Sequence, residues 1–364
     1  MNIKINLYTD IMISLIIPCA GKSSRFKGKP KWLRTCPNGN LMIQECLKGL
    51  DLGNVNDIYI CFLKEHIDEF CNGCDMKNLF AFTKKNINIL IINEYTKSQS
   101  ETTYKILQNF NIEGPIFIKD CDNYFEHTIT KGNYVCGLYI NNNNPINELH
   151  NKSFIEINSA NEIINICEKQ IISNKICVGG YSFLDANIFK QCFKKCINIY
   201  NISKKELYIS HIIHTLLLEK HRFFIKKIEK YIDWGTQKEW EKYFSEYKTL
   251  FIDIDGTLFY NSSEFFSPKW GETDPIQENI NIIKKLYKTG KVKIFLTTAR
   301  KDQYRDITIN QLKKYKIPYD DIIFNLFHCK RFLINDFSNT NPYPSAIAIN
   351  LKRNSPLLKE LLTI

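Results

Sequence analysis

No stretch of this 364-residue chain stays apolar long enough to cross a bilayer. The early run Ile11 to Cys19 is short and reads as a buried strand, and no basic-then-apolar leader precedes it. These absences predict a soluble protein without membrane insertion. Glycine and proline are sparse, 15 and 11 residues, and the sequence shows neither a Pro/Gly-rich linker nor an internal repeat. Acidic side chains fall short of basic ones, 38 against 49, leaving a formal charge of +11. A positive field suits nucleic acid, an anionic membrane surface or small phosphate-rich substrates. The basic residues are spread through helical patterns rather than gathered in a block, which argues against nucleic acid. The 13 cysteines are odd in number and irregular in spacing, so they form no disulfide framework and predict a reducing, cytoplasmic setting. Cys71 and Cys74 form a C-x-x-C pair with no second pair or nearby histidine to complete a zinc site. His211 and His214, three apart on a helical pattern, lack a third ligand and read as core or groove residues.

The length predicts two domains. Short apolar runs alternate with helical patterns from the start, the signature of βαβ units on a largely parallel sheet. Candidate strands are Ser14–Pro18, Asp57–Leu63, Asn88–Ile92 and Ile116–Lys119. The rhythm then loosens through Asn133–Ser182, where short strands and the turn Asn141 to Asn144 suggest a mixed-sheet insertion. A helix is predicted over Lys204–Leu218, a strand near Phe223–Ile228 and a helix over Thr236–Tyr247. The pattern restarts with a strand at Leu250–Ile254, so the boundary is placed near 246–249, giving domains 1–247 and 248–364. The second runs through helix Pro275–Thr289, strand Lys293–Thr297 and helix Gln303–Tyr315. Strands are expected near Asp321–Phe324, Phe332–Ile334 and Ala346–Asn350.

The first strand empties into Pro18-Cys19-Ala20-Gly21-Lys22-Ser23-Ser24-Arg25-Phe26, followed by Lys29-Pro30-Lys31. A turn of small residues, Ala20, Gly21 and Ser23, lets backbone N–H groups approach a triphosphate, while lysine and arginine supply countercharge. The spacing is neither a Walker A loop nor a dinucleotide G-x-G-x-x-G. Further on, Ile116-Phe117-Ile118-Lys119-Asp120-Cys121-Asp122-Asn123 places two carboxylates just beyond a buried strand, where they can hold a hard cation by oxygen.

This loop and the segments downstream of it resemble the sugar-phosphate nucleotidyltransferases, in which a Gly-x-Gly-x-Arg-hydrophobic loop precedes Pro-Lys. Lys22-Ser23 departs from the usual second-glycine region. The resemblance implies that Arg25 meets the triphosphate and Lys31 the substrate phosphates. Asp122-Asn123 matches the family's Gly-Asp-Asn motif, making Asp122 the first metal ligand and Asp120 a second-rank one. Tyr231-Ile232-Asp233-Trp234-Gly235-Thr236 matches the motif whose aspartate, here Asp233, completes the Mg²⁺ site. Glu168-Lys169 and Gly179-Gly180-Tyr181-Ser182-Phe183 resemble acceptor-binding segments, implying roles for Glu168, Lys169, Gly180 and Tyr181. The turn Lys97 to Thr103 resembles the base-contacting segment through Gln99 and Ser100, and reads equally as a helix N-cap. The implied fold is α/β, a Rossmann-like (GT-A-like) mixed sheet.

In the second domain, Phe251-Ile252-Asp253-Ile254-Asp255-Gly256-Thr257-Leu258 resembles the D-x-D-G-T signature of the haloacid dehalogenase (HAD) phosphatase superfamily. Two carboxylates two apart beyond a strand can divide labour, Asp253 as nucleophile and Asp255 as general acid and base. The resemblance adds Thr297 and Lys330 as phosphate-binding support, and Asp253, Asp255 and Asp336 as Mg²⁺ ligands. A second carboxylate beside Asp336 is missing, and there is no room for a large cap. An active, open phosphatase and a vestigial domain both stand.

Taken together, these resemblances imply a Mg²⁺-dependent nucleotidylyltransferase, with CTP the preferred donor, forming an NDP-linked product and pyrophosphate for bacterial surface polysaccharide. A small capless HAD-like domain is attached. The acceptor is a phosphorylated small metabolite: ketose, hexose, heptose or polyol phosphate, or a phosphorylated amino acid or choline-like compound. A phosphatase with a nucleotide-binding N-terminal domain is the alternative, and a homodimer is open.

Overall fold

The computed structural model describes residues 12–21, 26, 29–141, 148–203, 206–336 and 345–362. The chain divides into two compact units, Met1–Glu241 and Lys242–Ile364. That division falls inside the helix Gln237–Ser245, ahead of the 246–249 boundary read from the sequence.

Among the described residues of the first unit, nine strands form one mixed sheet. Strands Ile13–Cys19, Val55–Leu63, Asn86–Ile92 and Ile116–Lys119 run parallel, with Ile13–Cys19 between Val55–Leu63 and Ile116–Lys119. Parallel strands covered on both faces read as continuous apolar runs. Accordingly, Leu15, Ile16, Ile17, Ile58, Ile60, Phe117 and Ile118 are fully buried. Beyond Ile116–Lys119 the sheet turns antiparallel through Lys175–Phe183, which pairs with Tyr134–Tyr139. Ser153–Ile157, Ile163–Glu168 and Phe224–Lys227 complete that side, so the mixed insertion expected at 133–182 is present.

The helix Gln99–Asn109 starts at Ser98, whose Oγ accepts from Glu101 N at 3.1 Å. Of the helix expected over Lys204–Leu218, the described residues are helical over Ile209–Leu218, while Lys204 and Lys205 lie outside the described residues. A longer helix, Ala186–Ser203, precedes it and was not anticipated. It buries Phe189, Cys192, Phe193 and Cys196 at three- and four-residue spacing against the sheet.

The second unit has three parallel strands in chain order, Lys248–Asp253, Val292–Thr297 and Asp321–Ile323. Helices Gln277–Tyr287 and Arg305–Lys314 accompany them, and Ile254, Leu258, Ile280, Ile294 and Leu312 form the core. The expected strands Phe332–Ile334 and Ala346–Asn350 are absent. Both segments are irregular, and Phe332, Ile334 and Ile347 are 85%, 92% and 75% exposed. A short apolar run becomes a strand only where a sheet edge receives it, and here none does.

Candidate functional site

A cleft of ≈ 1070 Å³ opens at the C-terminal ends of the parallel strands. It lies where the chain, after winding from Ile13–Cys19 through Val55–Leu63 to Asn86–Ile92, crosses back to Ile116–Lys119 on the other side of Ile13–Cys19, the switch point at which open α/β sheets bind ligands. Gly21, Lys31, Gln99, Asp120, Asp122, Lys152, Glu168, Lys169, Tyr181 and Asp233 all line it. All of these except Lys152 were singled out in the sequence, and the fold brings them to one cleft from segments more than two hundred positions apart.

The carboxylates come together through backbone pairing. Asn123–Phe125 runs antiparallel to Tyr231–Asp233 with Asp233 opposite Asn123, and Trp234 N donates to the Asp122 carbonyl at 2.9 Å. A Cβ on Gly235 would stand 3.1 Å from Asp233 Oδ1 and 3.7 Å from Asp122 Oδ2. The glycine thus lets both carboxylates flank one point. Lys31, on the short helix Lys31–Leu33, donates to Asp122 Oδ2 at 2.9 Å and to the Gly235 carbonyl at 2.8 Å. Lys152 ion-pairs with Asp233 and donates to Tyr231 Oη at 3.2 Å. Burial opposes the Lys152 charge, but Asp233, Glu239 and Asp122 outweigh it, so its pKa lies above the ordinary lysine value.

No group of three or more His, Cys, Asp or Glu side chains converges on a metal position among the described residues. Asp122 and Asp233 are instead a pair of hard oxygen donors. That set fits Mg²⁺, which is commonly held by one or two protein carboxylates and completes its shell with water and substrate phosphates. Asp120 has a different place. Its Oδ1 accepts from Gln99 Nε2, its N–H donates to the Gly179 carbonyl at 2.9 Å, and burial, then the Asp122 charge, pushes its pKa up to about 7. Glu239 is likewise pushed up to about 7, by burial first and Asp233 second.

Several residues singled out in the sequence have polar atoms engaged within the protein or lie beneath the surface. Ser100 is fully buried and donates to the Leu207 carbonyl, so its hydroxyl serves the packing of its helix rather than a base edge. The Gln99 amide nitrogen is taken up by Asp120. Ala20 and Gly180 lie beneath the surface; a Cβ on Gly180 would meet the Phe125 ring at 2.7 Å. Glu168 accepts from Ser153 and Ser210, and His211 accepts from Tyr208 N at 3.1 Å, a capping role. Ser23 and Arg25 lie outside the described residues.

Two largely buried lysines had no role assigned from the sequence. Lys152 follows an ordinary His150-Asn151. Lys119 did leave a signal: a lysine inside the apolar run Ile116-Phe117-Ile118 is buried only if paired. It is fully buried, and its ammonium donates to the carbonyls of Asp120 at 2.7 Å and Asn123 at 3.0 Å and to Asn123 Oδ1.

In the second unit, Asp253 ends its strand in register with Thr297. Asp255 is clamped by Arg300, which donates from Nε at 2.9 Å and Nη2 at 2.7 Å to its two oxygens. Arg300 itself is 0% exposed and also reaches Thr308 and Gln311. Arg331 pairs with Asp253 at 3.0 Å; Lys330 and Asp336 are exposed in irregular chain. Asp253, Asp255 and Asp336 do not assemble as a three-carboxylate site.

No family model matches the sequence, and no curated protein matches it. Solved structures do match. The chain is similar over 64% of its length to the nucleoside-diphosphate-sugar pyrophosphorylase from Vibrio cholerae RC9, with a TM-score of 0.54, 17% identity and 99% of that protein covered. It is also similar over 64% to the inositol-1-phosphate CTP transferase from T. maritima, with a TM-score of 0.50, 10% identity and 94% of that protein covered. A candidate glucose-1-phosphate thymidylyltransferase from Bacillus anthracis matches over 64%, with a TM-score of 0.51, 17% identity and 94% of that protein covered. The fold is therefore the mixed α/β sheet of the nucleotidyltransferases. No helix among the described residues is long and apolar enough to cross a membrane.

Proposed function

We propose that the first unit transfers a nucleotidyl group from an NTP to the phosphate of a small metabolite and releases pyrophosphate. The observation that carries this reading is the Asp122–Asp233 pair closing on one point beside Gly235, with Lys31 at its edge, in the switch-point cleft. An acceptor phosphate oxygen attacks the α-phosphorus in line, and the bond to the bridging oxygen breaks as pyrophosphate leaves. The attacking oxygen is already anionic, so no protein base is required and the protein's work is positioning and charge neutralisation. Asp122 and Asp233 would hold Mg²⁺, which when bound would supply charge neutralisation at the phosphates. Lys31 orients phosphate oxygens, and Arg25, by resemblance, neutralises the leaving pyrophosphate. CTP is the proposed donor, supported by the Lys119-Asp120-Cys121-Asp122-Asn123 pattern and by the likeness to a CTP transferase. The proposed use of the NDP-linked product is surface polysaccharide synthesis, and it rests on the resemblance alone.

The test is pyrophosphate release with Mg²⁺, each of CTP, UTP, GTP, ATP and dTTP, and a panel of sugar, polyol and amino-alcohol phosphates. Release with one pair, lost in Asp122→Asn, supports the reading. Silence across the panel, with no NTP raising the melting temperature, sinks it.

A second reading concerns residues 248–364, proposed as a HAD-like phosphatase with Asp253 as nucleophile. The register of Asp253 with Thr297 at one sheet end favours it. Mg²⁺-dependent phosphate release from p-nitrophenyl phosphate, abolished by Asp253→Asn, is its test.

A further inference from the structure

Lys169 is the lysine that resemblance sets beside the acceptor. Its ammonium, however, lies 4.5 Å from the centroid of the Tyr208 ring and donates to the Tyr208 hydroxyl. The lysine that reaches the carboxylate pair from that side of the cleft is Lys152. Its side chain is only 14% exposed and is ion-paired with Asp233. The two lysines are placed by one strand junction: Lys169 N donates to the Lys152 carbonyl at 3.0 Å, next to the point where Ser153 pairs with Glu168. One junction therefore sends one ammonium toward Asp233 and the other toward Tyr208. Lys31 meets Asp122 and Lys152 meets Asp233, so the point flanked by both carboxylates has an ammonium beside each of them.

We propose that Lys152, not Lys169, is the lysine that contacts the transferring phosphate, and that Lys169 with Tyr208 meets the non-reacting part of the acceptor. This rests on the reading of the first unit as a nucleotidyltransferase. Negative charge shifts among the phosphate oxygens as the bond to phosphorus forms and the bond to pyrophosphate breaks. A donor already fixed and partly desolvated gains most from that shift, because it need not reorganise when the charge moves. Lys152 is held by Asp233 and Tyr231 within the protein. Lys169 faces an aromatic hydroxyl, a partner suited to binding the body of a substrate.

The experiment uses the full-length protein and the donor–acceptor pair that the unaltered enzyme turns over. Lys152→Ala is expected to lower kcat about 100- to 1000-fold while the KM for the NTP stays within about threefold. Lys169→Ala is expected to raise the acceptor KM with a smaller loss of kcat. Lys152→Arg, which keeps the charge, is expected to retain more kcat than Lys152→Gln while Tm and the KM for the NTP stay alike in the two variants, whereas a role confined to the ion pair with Asp233 would show in Tm. The inference is overturned if Lys152→Ala keeps kcat within about threefold of the unaltered enzyme. If Lys152→Ala does not fold, equal losses in the Arg and Gln variants overturn it. An unaltered protein that releases no pyrophosphate with any pair defeats the nucleotidyltransferase reading as well, whereas an active protein indifferent to Lys152 defeats only this inference.

Discussion

Replacing Lys119 with methionine separates the architecture of the carboxylate loop from its chemistry. The lysine is fully buried at the end of the strand Ile116–Lys119, and its ammonium lies 4.5 Å from the Phe125 ring centroid. It satisfies the carbonyls of Asp120 and Asn123 at 2.7 and 3.0 Å, as well as the Asn123 side chain. Methionine keeps most of the stem's apolar contact but makes none of these bonds. Each charge-assisted bond is worth about 1.5–3 kcal/mol, and each buried carbonyl left unpaired costs about 1–3 kcal/mol. Relief from burying an ammonium offsets part of the loss. The net expectation is a destabilisation of about 2–4 kcal/mol. At about 2–4 °C per kcal/mol for a unit of this size, Tm should fall by roughly 5–15 °C in a circular-dichroism melt. The change also removes the charge that offsets burial and Asp122 at Asp120, so pyrophosphate release should fall with it. A Tm within about 2 °C of the unaltered protein would refute the claim that Lys119 holds this loop.

Three further outcomes are expected. Gly179 has φ +80°, and a Cβ there would collide with the Asp120 carboxylate; Gly179→Ala should lower Tm and cut turnover at least about tenfold. Arg300→Met leaves Asp255 without its guanidinium clamp and should destabilise the second unit by about 3–5 kcal/mol, read as a lower urea midpoint. The third concerns His127, whose pKa burial, helped by Lys226, depresses to about 4. The unfolded chain takes up its proton near pH 6.5 and the folded one near 4. The stability His127 contributes is thus fully present above pH 6.5 and is lost as pH falls toward 4. The loss is about 1–2 kcal/mol after discounting for partial exposure, and His127→Phe should remove it from urea unfolding curves measured between those pH values.

Much of the first unit was legible because its signals are local. Continuous Ile-rich runs fit strands covered on both faces, and Asp122-Asn123 and Asp233-Trp234-Gly235 sit at strand ends, where side chains reach a cleft. The helix Ala186–Ser203 was missed although its apolar spacing is regular. The strands expected at Phe332 and Ala346 are absent for the opposite reason: apolar triplets satisfy a local rule, while pairing needs an edge supplied from elsewhere.

By itself the sequence determined the alternation of strands and helices, the restart near Thr249 and the carboxylate-bearing loops, because periodicity and motif spacing depend on neighbours along the chain. Only the tertiary structure decided the partners. Gln99 turns to Asp120, Ser100 is buried under Leu207, Arg300 clamps Asp255, and Lys152 rather than Lys169 meets Asp233. Each of these contacts joins residues far apart in the chain, and a side chain's partner is set by where the backbone brings it, which composition and spacing do not encode.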